Sequence, residues 1–136
     1  HIPFSSSRYV VVVREDHPEV GESLSLDQYL ALKHLHVSSR RTGLGHVDMA
    51  LNSLGRQRHI QLRVQHHQIA PDIVKSTDLA LTVPLQSADY PGLKAVELPL
   101  SLAPLNWHLF WHKSVDEDQA NRWMREQVQC LIRDSI

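Results

Sequence analysis

Along the 136 residues, short β-like apolar runs alternate with helix-like spacings. Tyr9 to Val13 is an unbroken apolar run rich in β-branched side chains, which predicts a strand over 8–14 buried on both faces. The turn Glu15-Asp16-His17-Pro18 ends it. Ser25 and Gln28 have capping-box spacing, and Leu26, Tyr29, Leu30 and Leu32 then predict a short helix to about Leu32. His34 to Ser38 reads as a second strand. A polar stretch over 39–45 leads into a helix whose inward stripe is Val47, Ala50, Leu51 and Leu54, with Gly55 as its stop. His59 to Gln65 alternates, which sets Ile60, Leu62 and Val64 on one face of a third strand. A helical segment passes through Ile69, Ile73 and Val74, and a fourth strand over 78–83 ends at Pro84. A short helix or loop fills 84–92, and Lys94 to Leu98 is a further short strand. After a proline-containing connector, Asn106 to Lys113 predicts another strand with Trp107, Leu109 and Trp111 on one face. The last helix, 116–132, carries Ala120, Trp123, Met124, Val128, Leu131 and Ile132 on one side, with Asp116, Glu117 and Asp118 suiting its amino end. Strands alternating with helices predict an α/β sheet with largely parallel neighbours.

Composition narrows what such a sheet does. Fourteen basic against fifteen acidic side chains leave a net charge of -1, which gives no field for tracking a phosphate backbone. A hydrophobic content of 42% is enough for a packed core. Cys130 is the only cysteine, so an intrachain disulfide and a cysteine-based metal site are excluded and a reducing compartment is favoured. No apolar run approaches the roughly 20 residues that span a bilayer, and no signal peptide is visible. A soluble, cytoplasmic protein is the expectation. The first residue, His1, is not methionine, which marks the chain as a piece or a processed product.

Ligands of open α/β sheets collect beyond the carboxyl ends of parallel strands, where loops and helix amino termini converge. By that rule the second strand delivers Ser38, Ser39 and Thr42 into a loop that opens a helix, and the third delivers His66 and His67. Hydroxyls and amides there suit a carboxylate, nitro or phenolate oxygen. The same loop also reads as an ordinary helix cap with a Thr42-Gly43 turn. Arg40 and Arg41 fit a solvated surface. His34 and His36, two apart on a strand, share a face, but no carboxylate stands near them in the sequence and no helical His-Glu-x-x-His spacing occurs. His108 and His112 would be about 13 Å apart at about 3.3 Å per residue, too far for one ion. No metal and no cofactor is therefore expected. Gly-x-Ser-x-Gly is absent and Cys130 falls in an amphipathic helix, so nothing requires an enzyme.

The order of these segments resembles a known family. Arg8 to Pro18 is similar to the start of the second subdomain in the effector-binding region of LysR-type transcriptional regulators. Lys33 to Ser38, followed by Gly45-His46-Val47-Asp48 and Leu51, resembles that family's strand-loop-helix. Ser76 to Pro84 resembles its Thr-Asp-Leu strand. Trp111-His112 with Asp118 to Glu126 resembles its ending. The nearest branch is that of nodulation and aromatic-degradation regulators, which respond to flavonoids, salicylate or nitroaromatics.

The resemblance implies an α/β, periplasmic-binding-protein-like type II fold, with two lobes around a small-molecule cleft. It implies that residues 1–113 are mainly the second regulatory lobe, with 8–14 and 106–112 as hinge crossovers. Residues 114–136 would be a helix that normally returns to the first lobe. A winged helix-turn-helix that binds DNA, and the first half of lobe one, would lie outside this chain. The apolar side of the last helix would then need cover from lobe two, another copy or the missing polypeptide. In aromatic-responsive members the positions matching His34 and His66 hold histidines that line the cleft, while His67 and Gln65 depart from a usual aromatic residue and a usual proline. The effector site implied is therefore His34, His66, His67, Ser38, Ser39 and Thr42. The implied partners are a small aromatic effector, DNA through the absent domain, and further copies of the regulator. A solute-binding or transport-associated protein of the same fold is the alternative.

Overall fold

A computed structural model of the chain describes residues 1–40 and 44–135. Its elements run in the order β1 (Ile2–Ser7), β2 (Tyr9–Arg14), α1 (Leu26–Ala31), β3 (Lys33–Val37), α2 (His46–Ser53), β4 (His59–Val64), α3 (Ala70–Ser76), β5 (Ala80–Pro84), β6 (Leu93–Glu97), β7 (Leu105–Leu109) and α4 (Gln119–Ser135). The chain divides into two compact units, residues 8–103 and residues 1–7 with 104–136.

In the unit of residues 8–103, five strands form one sheet in the order β4-β3-β5-β2-β6. β3 is parallel to β4 and β5, whereas β2 is antiparallel to β5 and β6. The sheet is therefore mixed, not mostly parallel, because β2 enters from the opposite end and pairs with two strands that lie far along the chain. The valine run of β2 is buried on both faces, as its composition requires. Val11 and Val13 pack with Tyr29, Val47 and Leu51 on one side, and Val10 and Val12 pack with Leu35, Ala70 and Val74 on the other. Helices α1 and α2 thus cover one face and α3 the other.

Local chemistry sets the helix starts. The Ser25 Oγ accepts from the Gln28 amide at 3.1 Å, and Gln28 Oε1 accepts from the Ser25 amide at 2.8 Å, so the capping box forms. Ser25→Ala is expected to lower stability by about 1 kcal/mol, read as a lower urea midpoint with an unchanged slope. An unchanged midpoint would mean that tertiary packing alone holds α1.

Two expectations about the apolar pattern need correction. Leu54 lies beyond α2 and is 57% exposed, because the helix ends at Ser53 and the chain turns at Gly55, whose φ is +67°. Ile60, Leu62 and Val64 do not form one inward face. A register shift sets Ile60 opposite His34 but Leu62 opposite Leu35, and β4 is an edge strand that leaves Leu62 exposed.

In the other unit, β1 pairs antiparallel with β7. The polar Ser5-Ser6-Ser7 tract hides β1 from a reading of hydrophobic pattern, and its pairing partner is about a hundred positions away. β7 ends at Leu109, so Trp111 is not on a strand face. Instead its indole Nε1 donates to Asp116 Oδ1 at 2.9 Å, and the Arg125 guanidinium stacks 4.3 Å from the centre of its ring. The last helix starts three residues later than the acidic cluster suggested, since Asp118 accepts from the Asn121 amide at 2.7 Å and caps it. Trp123, Met124 and Leu131 on α4 are more than half exposed.

Candidate functional site

Because β3, β4 and β5 run parallel, their carboxyl ends meet at one edge of the sheet. Beyond β3 the Ser38 amide donates to Val64 O of β4 at 2.9 Å, tying the two strand ends together. Ser38 Oγ accepts from the Arg40 amide at 3.2 Å. Two residues beyond β4 come His66 and His67, both exposed, and the His67 carbonyl accepts from the Ala70 amide to open α3. Ser38, Ser39, His66 and His67 therefore share the edge. Thr42 lies outside the described residues.

Two further side chains reach the same edge, and neither was singled out from the sequence. Tyr9 begins β2 opposite Pro84 at the end of β5, and its hydroxyl stands 3.2 Å from Nδ1 of His46, the first residue of α2. Burial pushes the Tyr9 phenol above its ordinary pKa.

His34 sits elsewhere. It pairs with Ile60 and Ala80 near the start of β3, three residues and about 10 Å of strand from the edge. Its ring is fully buried against Tyr29, with ring centres 4.5 Å apart. Nε2 lies 2.8 Å from the Tyr29 carbonyl, and since a carbonyl only accepts, Nε2 carries the proton. Nδ1 is then an acceptor, and among the described residues it has no hydrogen-bond partner. Burial holds the His34 pKa down at about 4, so the ring is neutral.

The sequence reading also missed a buried polar cluster on this face. Arg58, with a side chain only 2% exposed, grips Asp48 through Nε to Oδ1 at 2.8 Å and Nη2 to Oδ2 at 3.0 Å. Its Nη2 also donates to His36 Nδ1 at 3.3 Å, and its Nη1 reaches the Tyr29 hydroxyl at 3.4 Å. The Tyr29 hydroxyl is 2.7 Å from Thr82 Oγ1. Burial would raise the Asp48 pKa, but the bonds and charge of Arg58 outweigh it and hold the carboxyl below its ordinary range. His36 is pushed down by burial and then by the Arg58 charge. The one sequence signal for this cluster is an acid adjoining the inward stripe of Val47 and Leu51; nothing local joins it to an arginine ten residues on.

A depression of about 440 Å³ lies at the opposite end of the parallel strands, lined by Glu19, Leu32, Lys33, Gln61 and Asp78 among others. Asp78 there is already held by Arg14 Nε at 2.8 Å. The carboxyl edge is the better candidate, since the exposed imidazoles of His66 and His67, the Ser38 hydroxyl and a helix amino terminus converge on it. Among the described residues, no three metal-ligating side chains form a group that could hold an ion, and no helix is long and apolar enough to cross a membrane.

Comparison with known proteins agrees with this architecture. The chain is 35% identical over 132 residues to the HTH-type transcriptional activator NahR of Pseudomonas putida, covering 94% of this chain and 44% of the relative. It is 37% identical over 123 residues to the HTH-type transcriptional activator NagR of a Ralstonia species, covering 88% and 41%. It thus spans less than half the length of these relatives. Among solved structures, the regulatory domain of MexT, a transcriptional activator in Pseudomonas aeruginosa, superposes with a TM-score of 0.76 at 28% identity, covering 94% of this chain and 65% of that one. The mixed sheet with helices on both faces is the α/β, periplasmic-binding-protein-like type II fold expected from the segment order. A family model described as the LysR substrate binding domain matches residues 1–132, nearly the full length, and the chain belongs to that family.

Proposed function

We propose that this chain is the ligand-sensing part of a LysR-type DNA-binding transcriptional regulator and takes a small aromatic effector at the carboxyl edge of its parallel strands. The observation that carries the reading is the identity to two transcriptional activators over about nine-tenths of the chain. Those relatives are named as regulators, which supports a non-enzymatic role and gives the solute-transport alternative no support. The net charge of -1 agrees with DNA binding by polypeptide outside these residues. In this reading residues 1–113 are mainly the second lobe with its hinge crossovers and 114–136 the helix that returns to the first, and the grouping of residues 1–7 with 104–136 in one compact unit supports a hinge role for the segments that flank 8–103. The regulator acts in the cytoplasm as an oligomer, and the apolar side of α4 is covered within that assembly.

Ser38, Ser39, His66 and His67 are the proposed edge contacts, with Thr42 from the same loop. An exposed imidazole pairs with a carboxylate as a cation or donates to it when neutral. His34 stands apart from these contacts: its ring is fully buried about 10 Å of strand from the edge, so its Nδ1 does not face an effector bound there. Effector binding signals only through different affinities for two lobe arrangements, which shifts their population and reorients the attached DNA-binding parts.

The test is titration of the intact regulator with salicylate and with benzoate, followed by thermal shift. Salicylate, whose hydroxyl adds a second hydrogen-bonding group for the edge hydroxyls and imidazoles beside its carboxylate, is expected to bind more tightly. Ser38→Ala with His66→Ala is expected to weaken it by roughly tenfold or more, the loss of one to two charge-assisted hydrogen bonds. Unchanged affinity in the double variant would refute the edge assignment.

A further inference from the structure

The amino end of α2 is pinned to the sheet from below. Gly45, which caps it, has φ −75° and ψ 174°, extended backbone open to any residue. What disfavours a side chain is a neighbour: a Cβ there would lie 3.0 Å from His36 Cε1 and 3.5 Å from His36 Nε2, so the ring would have to give by a few tenths of an ångström. The ring is oriented by Arg58, whose Nη2 donates to its Nδ1 at 3.3 Å, and Arg58 is itself held by both oxygens of Asp48 in the first turn of α2. One residue on from Gly45, His46 meets Tyr9 at the sheet's carboxyl edge.

We infer that His36 is a positioning residue for the effector edge: its ring, oriented by Arg58, is the seat of Gly45 and so fixes where the amino end of α2 stands. His36 touches no effector in this scheme. It acts through the backbone that carries His46, and the inference rests on the sensor reading above for what the edge binds. The buried ion pair then has a use beyond stability, since it ties the first turn of α2 and the ring under its cap to one guanidinium.

A double-mutant cycle on the intact regulator tests this, with Gly45→Ala, His36→Ala and both together. Two readouts are taken, amide hydrogen exchange across His46 to Leu51 and the dissociation constant for salicylate. Gly45→Ala alone is expected to speed exchange there and weaken salicylate, each by at least about threefold, with exchange in Val10 to Val13 unchanged. With the ring removed by His36→Ala, adding Gly45→Ala is expected to leave only the smaller effect of alanine's poorer capping. The poorer capping of alanine acts in both backgrounds, so only the ring contact appears as coupling. Equal effects of Gly45→Ala in the two backgrounds would overturn the inference. If the parent regulator binds neither salicylate nor benzoate, the effector reading fails on its own, and the exchange cycle still decides the role of His36.

Discussion

Asp48→Asn is expected to destabilise the fold by about 3–5 kcal/mol, because among the described residues its ion pair with Arg58 is the most deeply buried. The reason is what it leaves behind. Arg58 has a side chain 2% exposed and Asp48 one 12% exposed, so the guanidinium has almost no water to turn to when its carboxylate is neutralised. Asparagine keeps the shape and one acceptor oxygen, but the two-point grip at 2.8 and 3.0 Å becomes a single neutral bond. His36 and Tyr29 do not substitute for it, since their bonds to Arg58, at 3.3 and 3.4 Å, are long and carry no opposing charge. Urea unfolding of the wild-type and variant chains measures the loss. A deficit under about 1 kcal/mol, the range of exposed pairs, would show that water reaches the guanidinium. Arg58→Met with Asp48→Leu gives the contrasting result: with both charges gone and similar volume kept, stability is expected to stay within about 1–2 kcal/mol of wild type. The pair is therefore weak evidence for stability as such, which is why a positioning role for it is worth testing.

How far the sequence discloses this protein follows the range over which each feature is encoded. β2 is legible because four consecutive valines have no reason to be together except in a strand covered on both faces, and α1 because Ser25 and Gln28 form a complete capping box within four residues. The edge residues Ser38, His66 and His67 follow from strand direction alone, once β3 and β4 are parallel neighbours. What escaped depends on pairing between distant segments. β1 and β7 find each other across the whole chain, and no periodicity in Ile2 to Ser7 announces it. The shift between His34 and Leu35 against β4 is a property of the ladder, invisible in either strand read singly. The Arg58 cluster draws on α1, β3, α2 and β5, and each of its members looks like an ordinary surface or core residue in isolation. His34 shows the same limit within one residue. Its position on a strand can be read, but its burial, fixed tautomer and idle Nδ1 depend on Tyr29 folding over it.

That burial gives His34 a signature in the pH dependence of stability. Desolvation lowers its pKa from 6.5 to about 4, and the bond to the Tyr29 carbonyl only partly opposes this. Above about pH 6.5 the ring is neutral in both folded and unfolded chains and contributes no slope. As pH falls below 6.5 the unfolded chain takes up the proton first. It then binds more protons than the native state, so stability falls with falling pH until the folded ring also titrates near 4. The full loss over that window is about 3 kcal/mol, at 1.36 kcal/mol for each factor of ten in proton affinity. His36 is shifted in the same direction and adds to the total, so the contribution of His34 is read by difference. His34→Gln keeps a donor for the Tyr29 carbonyl and removes the titration. Its stability at pH 7 is expected to be somewhat below wild type, but its decline between pH 6.5 and 4.5 should be shallower by about 2–3 kcal/mol. Unfolding free energies from urea titrations at half-unit steps of pH measure both slopes. Parallel curves for the two chains would mean that His34 is hydrated in solution and takes up its proton without unfolding the protein.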